Sequence, residues 1–414
     1  MNTDPRPEKA LIPHLFRTEY RKIVSVLCRH FGFREIEVAE DIASDTFLMA
    51  MQAWGIEGPP PNPAGWLYST AKNKAKNYLH RHSIYEEKLM PQIRAEVDGD
   101  LAFDIDLTSE NIADSQLQML FAVCHPAVSE ESQVGLALRI LCGFGIQEIA
   151  DAFLTTKEVI NKRLTRAKER LREVDIRIEM PAPGEMDARL EPVLTTIYLL
   201  FNEGYYSVGQ DHTLRKDVCM EAMRLCTMLI ENNTTNKPQV NALMAMMCFH
   251  ASRFDARTGT LGTPVLYGEQ DPGLWNADLI RNGGAFLQSA AKGDRVSRFH
   301  LEAGIACWHT QKEDSAEKWS GIVYYYDQLL KLNYSPVAAL NRAYAVYKLK
   351  GKAEAIRETE SLALEGNHFY FALLGELYDG IDSKKALENL ENALRLARTA
   401  ADQQAIRKRI AALS

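Results

Sequence analysis

Residues 145–172, GIQEIADAFLTTKEVINKRLTRAKERLR, constrain the fold of this chain more than any other stretch. Ile146, Ile149, Ala150 and Phe153 recur three and four apart, which predicts a short helix with one buried stripe. Thr155-Thr156 offers a hydroxyl N-cap for a second helix from about Lys157. In that helix Ile160, Leu164, Ala167 and Leu171 mark the inner face. Asn161, Lys162, Arg163, Thr165, Arg166, Lys168, Arg170 and Arg172 take the rest of its surface. The pattern is a helix-turn-helix. Amides and guanidinium groups at the front of such a helix suit base edges in a major groove, and the cations behind them suit phosphate oxygens. Lys157, Asn161, Lys162, Arg163 and Arg166 are therefore the candidate contacts to duplex DNA. A solvated amphipathic helix would explain the charge, but not the agreement of periodicity, cap and charge segregation.

A net charge of −7 looks unfavourable for nucleic acid until it is mapped. Residues 86–114 alone hold nine acids against two bases, so the basic surfaces on either side survive. At 414 residues the chain has room for two or three domains, each with its own core. No apolar run approaches the ~18 residues of a membrane span, so no membrane association is expected. The first residues, MNTDPRPEKALIPHLF, lack the basic flank and apolar core of a secretion signal. Seven scattered cysteines without a C-x-x-C pair fit reduced thiols and a cytoplasmic location.

Upstream, residues 11–54 read as two helices broken at Phe31-Gly32-Phe33, and a turn rich in proline, 58–63, ends the second. Residues 64–82 then interleave Lys72, Lys74, Lys76 and Arg81 with Trp66, Tyr68 and Tyr78. Such interleaving suits single-stranded nucleic acid, where rings stack on bases and cations follow the backbone. The same aromatics could equally be the core face of an amphipathic helix. The acidic segment 86–114 reads as a linker, helical pattern resumes at Ser115, and 180–186 form a second linker. Residues 188–414 look helical throughout and end in a repeat: 336–362 is followed by 371–397, with Ala355 and Ala386 31 apart. Small residues at that period are a tetratricopeptide-like signature.

Together these blocks resemble a bacterial sigma-70 type factor of the extracytoplasmic-function group. Residues 39–54 (AEDIASDTFLMAMQAW) resemble the region 2 helix that docks on polymerase, and 66–82 the segment that captures the melted minus-ten strand. Residues 145–172 are similar to the region 4 reader of the minus-thirty-five element, although the turn at Leu154-Thr155 lacks the usual glycine. HPA at 125–127, LLFNEGYYS at 199–207 and SPVAALNRAYAVYK at 335–348 resemble the subgroup with a fused C-terminal tetratricopeptide-like domain. The resemblance implies an all-α chain: a region 2 bundle over 1–85, an acidic linker over 86–114, a region 4 helix-turn-helix over 115–178 and a helical regulatory domain over 188–414. It implies core RNA polymerase and promoter DNA as partners. Asp41, Asp45 and Phe47 would grip polymerase, Asn73 would receive a flipped base, and Lys72, Lys74, Lys76 and Arg81 would hold phosphates. The acidic linker would lie in polymerase's basic RNA channel.

The fused domain would act as the control element, sensing a protein or a ligand. Asn202, Glu203, His250, Arg253, Asp255, Gln270, Asp271 and His309 are its candidate positions, being polar residues within apolar helices. Cys248-x-His250 and Cys307-x-His309 put their side chains on different helix faces, so no metal and no cofactor is expected. No P-loop, G-x-S-x-G, H-E-x-x-H or Gly-rich dinucleotide turn occurs, so no enzymatic role is expected, a relay through His250 and His309 being the one alternative. The competing function is a helix-turn-helix regulator with a tetratricopeptide sensor that does not bind core polymerase. It leaves 39–82 and the acidic segment unexplained.

Overall fold

The computed structural model describes residues 7–89, 105–153, 155–205, 215–257, 265, 267–397 and 400–413. Among these, every regular element is helical, so the chain is all-α. It divides into two compact units: Met1–Tyr205 with Asp217–Leu229, and Tyr206–Lys216 with Ile230–Ser414.

In the first unit α1 (Pro7–Phe31) buries Tyr20, Ile23, Val24, Leu27 and Cys28 almost completely. It stops at Gly32, whose φ of 86° is a left-handed conformation that favours glycine. α2 (Ile36–Glu57) follows and packs on α1. Pro63 opens α3 (Pro63–Leu89), a position where its missing N–H costs nothing. α4 (Ser109–Val123) is capped by the Thr108 hydroxyl, which accepts from Asn111 N at 3.4 Å. That cap starts the helix six residues before Ser115, so residues 109–114 of the acidic segment are helical rather than linker. Residues 90–104, which hold the remainder of the expected tether apart from its two ends, lie outside the described residues.

α5 (Glu130–Leu136) runs into a π-helical turn, Ala137–Leu141. Gly143 (φ 72°) then carries the backbone past α1, where a Cβ would meet Arg17 O at 3.1 Å. α6 (Ile146–Ala152) and α7 (Lys157–Glu173) are the two helices expected within residues 145–172. Thr156 caps α7 by accepting from Val159 N, and Ile160, Leu164, Ala167 and Leu171 are the residues α7 buries. Leu154, one half of the expected turn, lies outside the described residues.

α8 (Met186–Tyr205) and most of α9 (Lys216–Glu231) also belong to this first unit, which moves the domain boundary downstream of the expected residue 188. The reason is polar as well as apolar. Thr196 on α8 donates to Gln133 Oε1 on α5 at 3.0 Å, with both residues buried. Arg189 donates to Phe121 O at 2.8 Å. Glu221 on α9 pairs with Arg21 of α1 at 2.5 Å, and Arg224 reaches Leu141 O at 2.7 Å. A buried polar group that finds its partner only across these helices ties their placement to one arrangement.

In the second unit α10 (Pro238–Ala251) is apolar nearly all round and almost wholly buried, as a central helix must be. α11 (Ala277–Ala290) lies against it at Gly283, where any Cβ would sit 2.8 Å from the Phe249 ring. The chain continues through α12 (Arg298–Trp308), α13 (Ala316–Leu332), α14 (Pro336–Lys350), α15 (Lys352–Ser361), α16 (His368–Tyr378), α17 (Ser383–Leu396) and α18 (Ala400–Leu413). From α12 onward each helix packs on the next in sequence. The two repeat copies are the pairs α14–α15 and α16–α17. Ala355 and Ala386, small and fully buried, join Leu340, Leu374 and Leu377 in one core.

Candidate nucleic-acid interface

α7 presents one polar front. With its inner stripe buried, Lys157, Asn161, Lys162 and Arg166 are exposed. Arg163 is half-buried: it pairs with Glu131 on α5 at 3.1 Å and lies over the Phe153 ring at 5.5 Å. Ser132, Val159, Lys162, Arg163 and Arg166 line a depression of about 400 Å3 on this face. The rear of the helix differs from expectation. Lys168 turns to Glu40 of α2 at 2.6 Å, with both side chains nearly buried, and Arg172 pairs with Glu37. Arg139 adds a longer contact to Glu40 at 3.8 Å. Those two rear cations are thus engaged by α2 carboxylates, not displayed to phosphates. The geometry follows the helix dipoles, since Glu37 sits in the first turn of α2 and Arg172 in the last turn of α7.

α3 displays Asn73, Lys76 and Arg81, while Lys72 and Lys74 are half-buried. Lys74 pairs with Asp45 of α2 at 3.1 Å, which links two sets of candidate residues. The aromatics of α3 are engaged with the bundle. Trp66 meets Trp54 edge-on at 5.4 Å, and the Tyr68 hydroxyl donates to Glu19. Tyr78 lies 5.7 Å from Phe31 and donates to Glu35 at 3.2 Å. All three rings are half-buried and hold partners within the bundle, in line with the amphipathic alternative.

On α2, Asp41 and Asp45 are exposed. Phe47 is 3% exposed and packs among Phe16 and Tyr20 with ring separations of 5.0 and 6.4 Å, so it is a core residue and not a surface anchor. The apolar groups that α2 does expose are Leu48, Met49, Met51 and Ile56. Leu48 and Met51, with Phe16, Trp54 and residues 11–13, line an apolar hollow of about 820 Å3. The period along α2 marks Val38, Ile42, Phe47, Met51 and Trp54; Ile42, Phe47 and Trp54 are buried as it expects, Met51 is exposed, and Leu48 lies outside it. A second stripe, Ser44, Leu48, Met51 and Gly55, is the signal in retrospect.

The eight regulatory candidates are divided between the two units. Asn202 and Glu203 are on α8 in the first unit; the other six are in the second. Burial, then the nearby Glu131 charge, raises the Glu203 pKa. Asp255 is exposed and pairs with Lys216 at 2.5 Å, and Asp271 caps a short turn by accepting from Gly273 N at 2.8 Å. Gln270 donates to Val265 O at 3.3 Å. His250, Arg253 and His309 do converge: Arg253 lies 3.5 Å from His250 Nδ1 and over the Tyr267 ring, which His309 meets edge-on at 4.9 Å. Burial, then the Arg253 charge, keeps both histidines neutral at pH 7, His309 being pushed down to about 3. No group of three metal-ligating side chains occurs among the described residues. Nor, among the same residues, is any helix long and apolar enough to cross a membrane.

Residues 15–84, which contain α2 and most of α1 and α3, match the family model for Sigma-70 region 2. Residues 189–291 match a family of unknown function (DUF6596). Uncharacterized protein R00370 of Rhizobium meliloti (strain 1021) is 32% identical over 386 residues, which cover 91% of this chain and 90% of that protein. No solved structure matches. The chain belongs to the family of this rhizobial protein, and the region 2 it carries marks it as a sigma-70 family factor.

Proposed function

We propose that this protein is an alternative sigma factor that directs core RNA polymerase to specific promoters and helps to open the minus-ten region. The observation that carries the reading is the combination of a matched region 2 with a separate cationic helix-turn-helix on the same compact unit. In this reading Lys157, Asn161, Lys162 and Arg166 read the upstream element, with Arg163 positioned by Glu131. Asn73, Lys72, Lys76 and Arg81 take the melted strand. The amide of Asn73 can both donate to and accept from a flipped base. Asp41, Asp45 and the exposed Leu48 and Met51 of α2 form the polymerase contact, an apolar centre with charged flanks. The helix pairs of the second unit, read as tetratricopeptide-like, form the control element. No chemistry is asked of any side chain, so the role is binding and not catalysis.

The test is reconstitution: purified protein, core polymerase and a promoter library. Promoter-specific transcripts that need both components support the assignment. Duplex binding without association to core polymerase would leave the plain helix-turn-helix regulator as the answer.

A further inference from the structure

The exposed side of α7 is not uniformly cationic. Val159, 43% exposed, precedes Arg163 by one turn, and both line the same depression with Lys162, Arg166 and Ser132 of α5. Its isopropyl group contributes nothing to a phosphate contact. What it suits is an apolar group on a base edge, and in the major groove that is the C5-methyl of thymine.

The cations of the depression are of two kinds. Among the described residues Lys162 and Arg166 make no ion pair or hydrogen bond within the chain, so both are free to swing. Arg163 is held from two sides: Nη2 pairs with Glu131 Oε2 at 3.1 Å, and the guanidinium lies 5.5 Å from the centre of the Phe153 ring. Glu131 is 73% exposed, and a pair so open to water adds little stability. Its effect is on orientation. A phosphate accepts a cation from many directions, whereas O6 and N7 of guanine need a planar fork in one orientation. A side chain already held loses less freedom when it binds. Only Nη2 is engaged by Glu131, which leaves further N–H donors for a base edge.

We propose that Val159 and Arg163 supply base-specific readout within the upstream element. Arg163, positioned by Glu131 and Phe153, donates to O6 and N7 of a guanine, and Val159 packs on the methyl group of a nearby thymine. Four residues of helix rise about 6 Å, and base pairs are about 3.4 Å apart, so the two bases lie within about two steps of each other. Lys162 and Arg166 suit the flanking phosphates. The assignment rests on the duplex-binding role proposed for α7.

The experiment is selection of a randomised duplex library by the full chain, alone and with core RNA polymerase, followed by titration of the enriched site. A guanine and a thymine at that spacing are expected. Replacing the thymine by uracil, which lacks the methyl group, should weaken wild type about fourfold and leave Val159→Ala unaffected. Arg163→Lys keeps the charge but loses the fork, so discrimination for guanine should fall by roughly 5- to 150-fold while the salt dependence stays the same. Glu131→Gln should relax the guanine preference without weakening binding to random duplex, and Glu131→Asp should restore part of it. Guanine preference retained by Arg163→Lys or by Glu131→Gln, or equal sensitivity to uracil in Val159→Ala, overturns the proposal while the duplex-binding role of α7 stands. No duplex binding, with or without polymerase, overturns both.

Discussion

Glu221 is the residue whose removal tests the architecture of the first unit most directly. Its carboxylate, 16% exposed, holds Arg21 at 2.5 Å and Arg224 at 2.8 Å, and Arg21 is itself only 8% exposed. Unit charges ~4 Å apart attract by about 4 kcal/mol at an effective dielectric near 20. Desolvation offsets much of that, but removing one partner of a buried pair costs about 3–5 kcal/mol because the other charge is left uncompensated. Glu221→Ala strands two arginines, so it should lie at the upper end of that range. Arg21→Met with Glu221→Met removes both charges and should recover most of the loss, giving a coupling energy of about 2 kcal/mol or more. Peptide-resolved hydrogen exchange on α1 and α9 is the assay, since both helices should lose protection together. Acid should have the same effect. Burial alone would raise the Glu221 pKa, but Arg224 and Arg21 outweigh it and hold it below the usual range. The pair therefore stabilises above the ordinary carboxylate pKa, and its contribution disappears as pH falls through the lowered folded value. A coupling energy below ~0.5 kcal/mol would refute the reasoning and leave α9 attached by its apolar contacts and the Arg224 bond to Leu141 O.

On the exposed side of α7, where duplex binding is proposed, Lys162→Ala with Arg166→Ala should weaken that binding and flatten the dependence of log K on log salt by roughly 0.9 for each phosphate no longer neutralised; an unchanged slope in titrations at several salt concentrations refutes the assignment. The second unit should be acid-sensitive above the range where carboxylates titrate. His309, near 3 when folded and about 6.5 when unfolded, binds its proton only in the unfolded chain between those values, so stability falls as pH drops below 6.5. At pH 5 the loss from this one residue is about 2 kcal/mol, and chemical denaturation at pH 7 and pH 5 of wild type and His309→Asn measures it. Gly375→Ala would place a Cβ 2.7 Å from Leu390 Cγ, prising α16 from α17 at a cost of about 1–3 kcal/mol. Gly284→Ala, with open space around it on α11, should instead be neutral or gain up to about 1 kcal/mol; comparing the two unfolding midpoints separates packing from helix propensity.

The two helices within residues 145–172 were legible because their signals are local. A threonine cap, a stripe of four apolar residues and a run of cations all lie within one element, and α7 buries the four residues the period selects. The rear cations were not legible, because Lys168 and Arg172 find their carboxylates on α2 more than 100 residues away. Phe47 fails for a related reason. An aromatic on a helix that is apolar on two sides can serve as core or as surface, and only the rings of Phe16 and Tyr20 decide. Burial of Lys318, which is 2% exposed, had no signal at all, since a lysine beside tryptophan near a helix start reads as an exposed residue until the burial around Tyr267 is known.

The domain boundary is the most consequential of these differences. A second domain joined by a simple linker would leave the first unit complete before residue 188. Instead α8 and α9 satisfy polar groups on α1, α4 and α5 through Glu221, Arg189 and Thr196, and they bury Ile197, Leu200, Cys219 and Cys226 completely. The segment matching the family of unknown function begins inside this unit and ends in the other. Its first part is thus a structural component of the unit that carries region 2, not an appendage to it. Any change that loosens α9 acts on Arg21 of α1 directly, without needing a separate messenger, because the ion pair is the shared element.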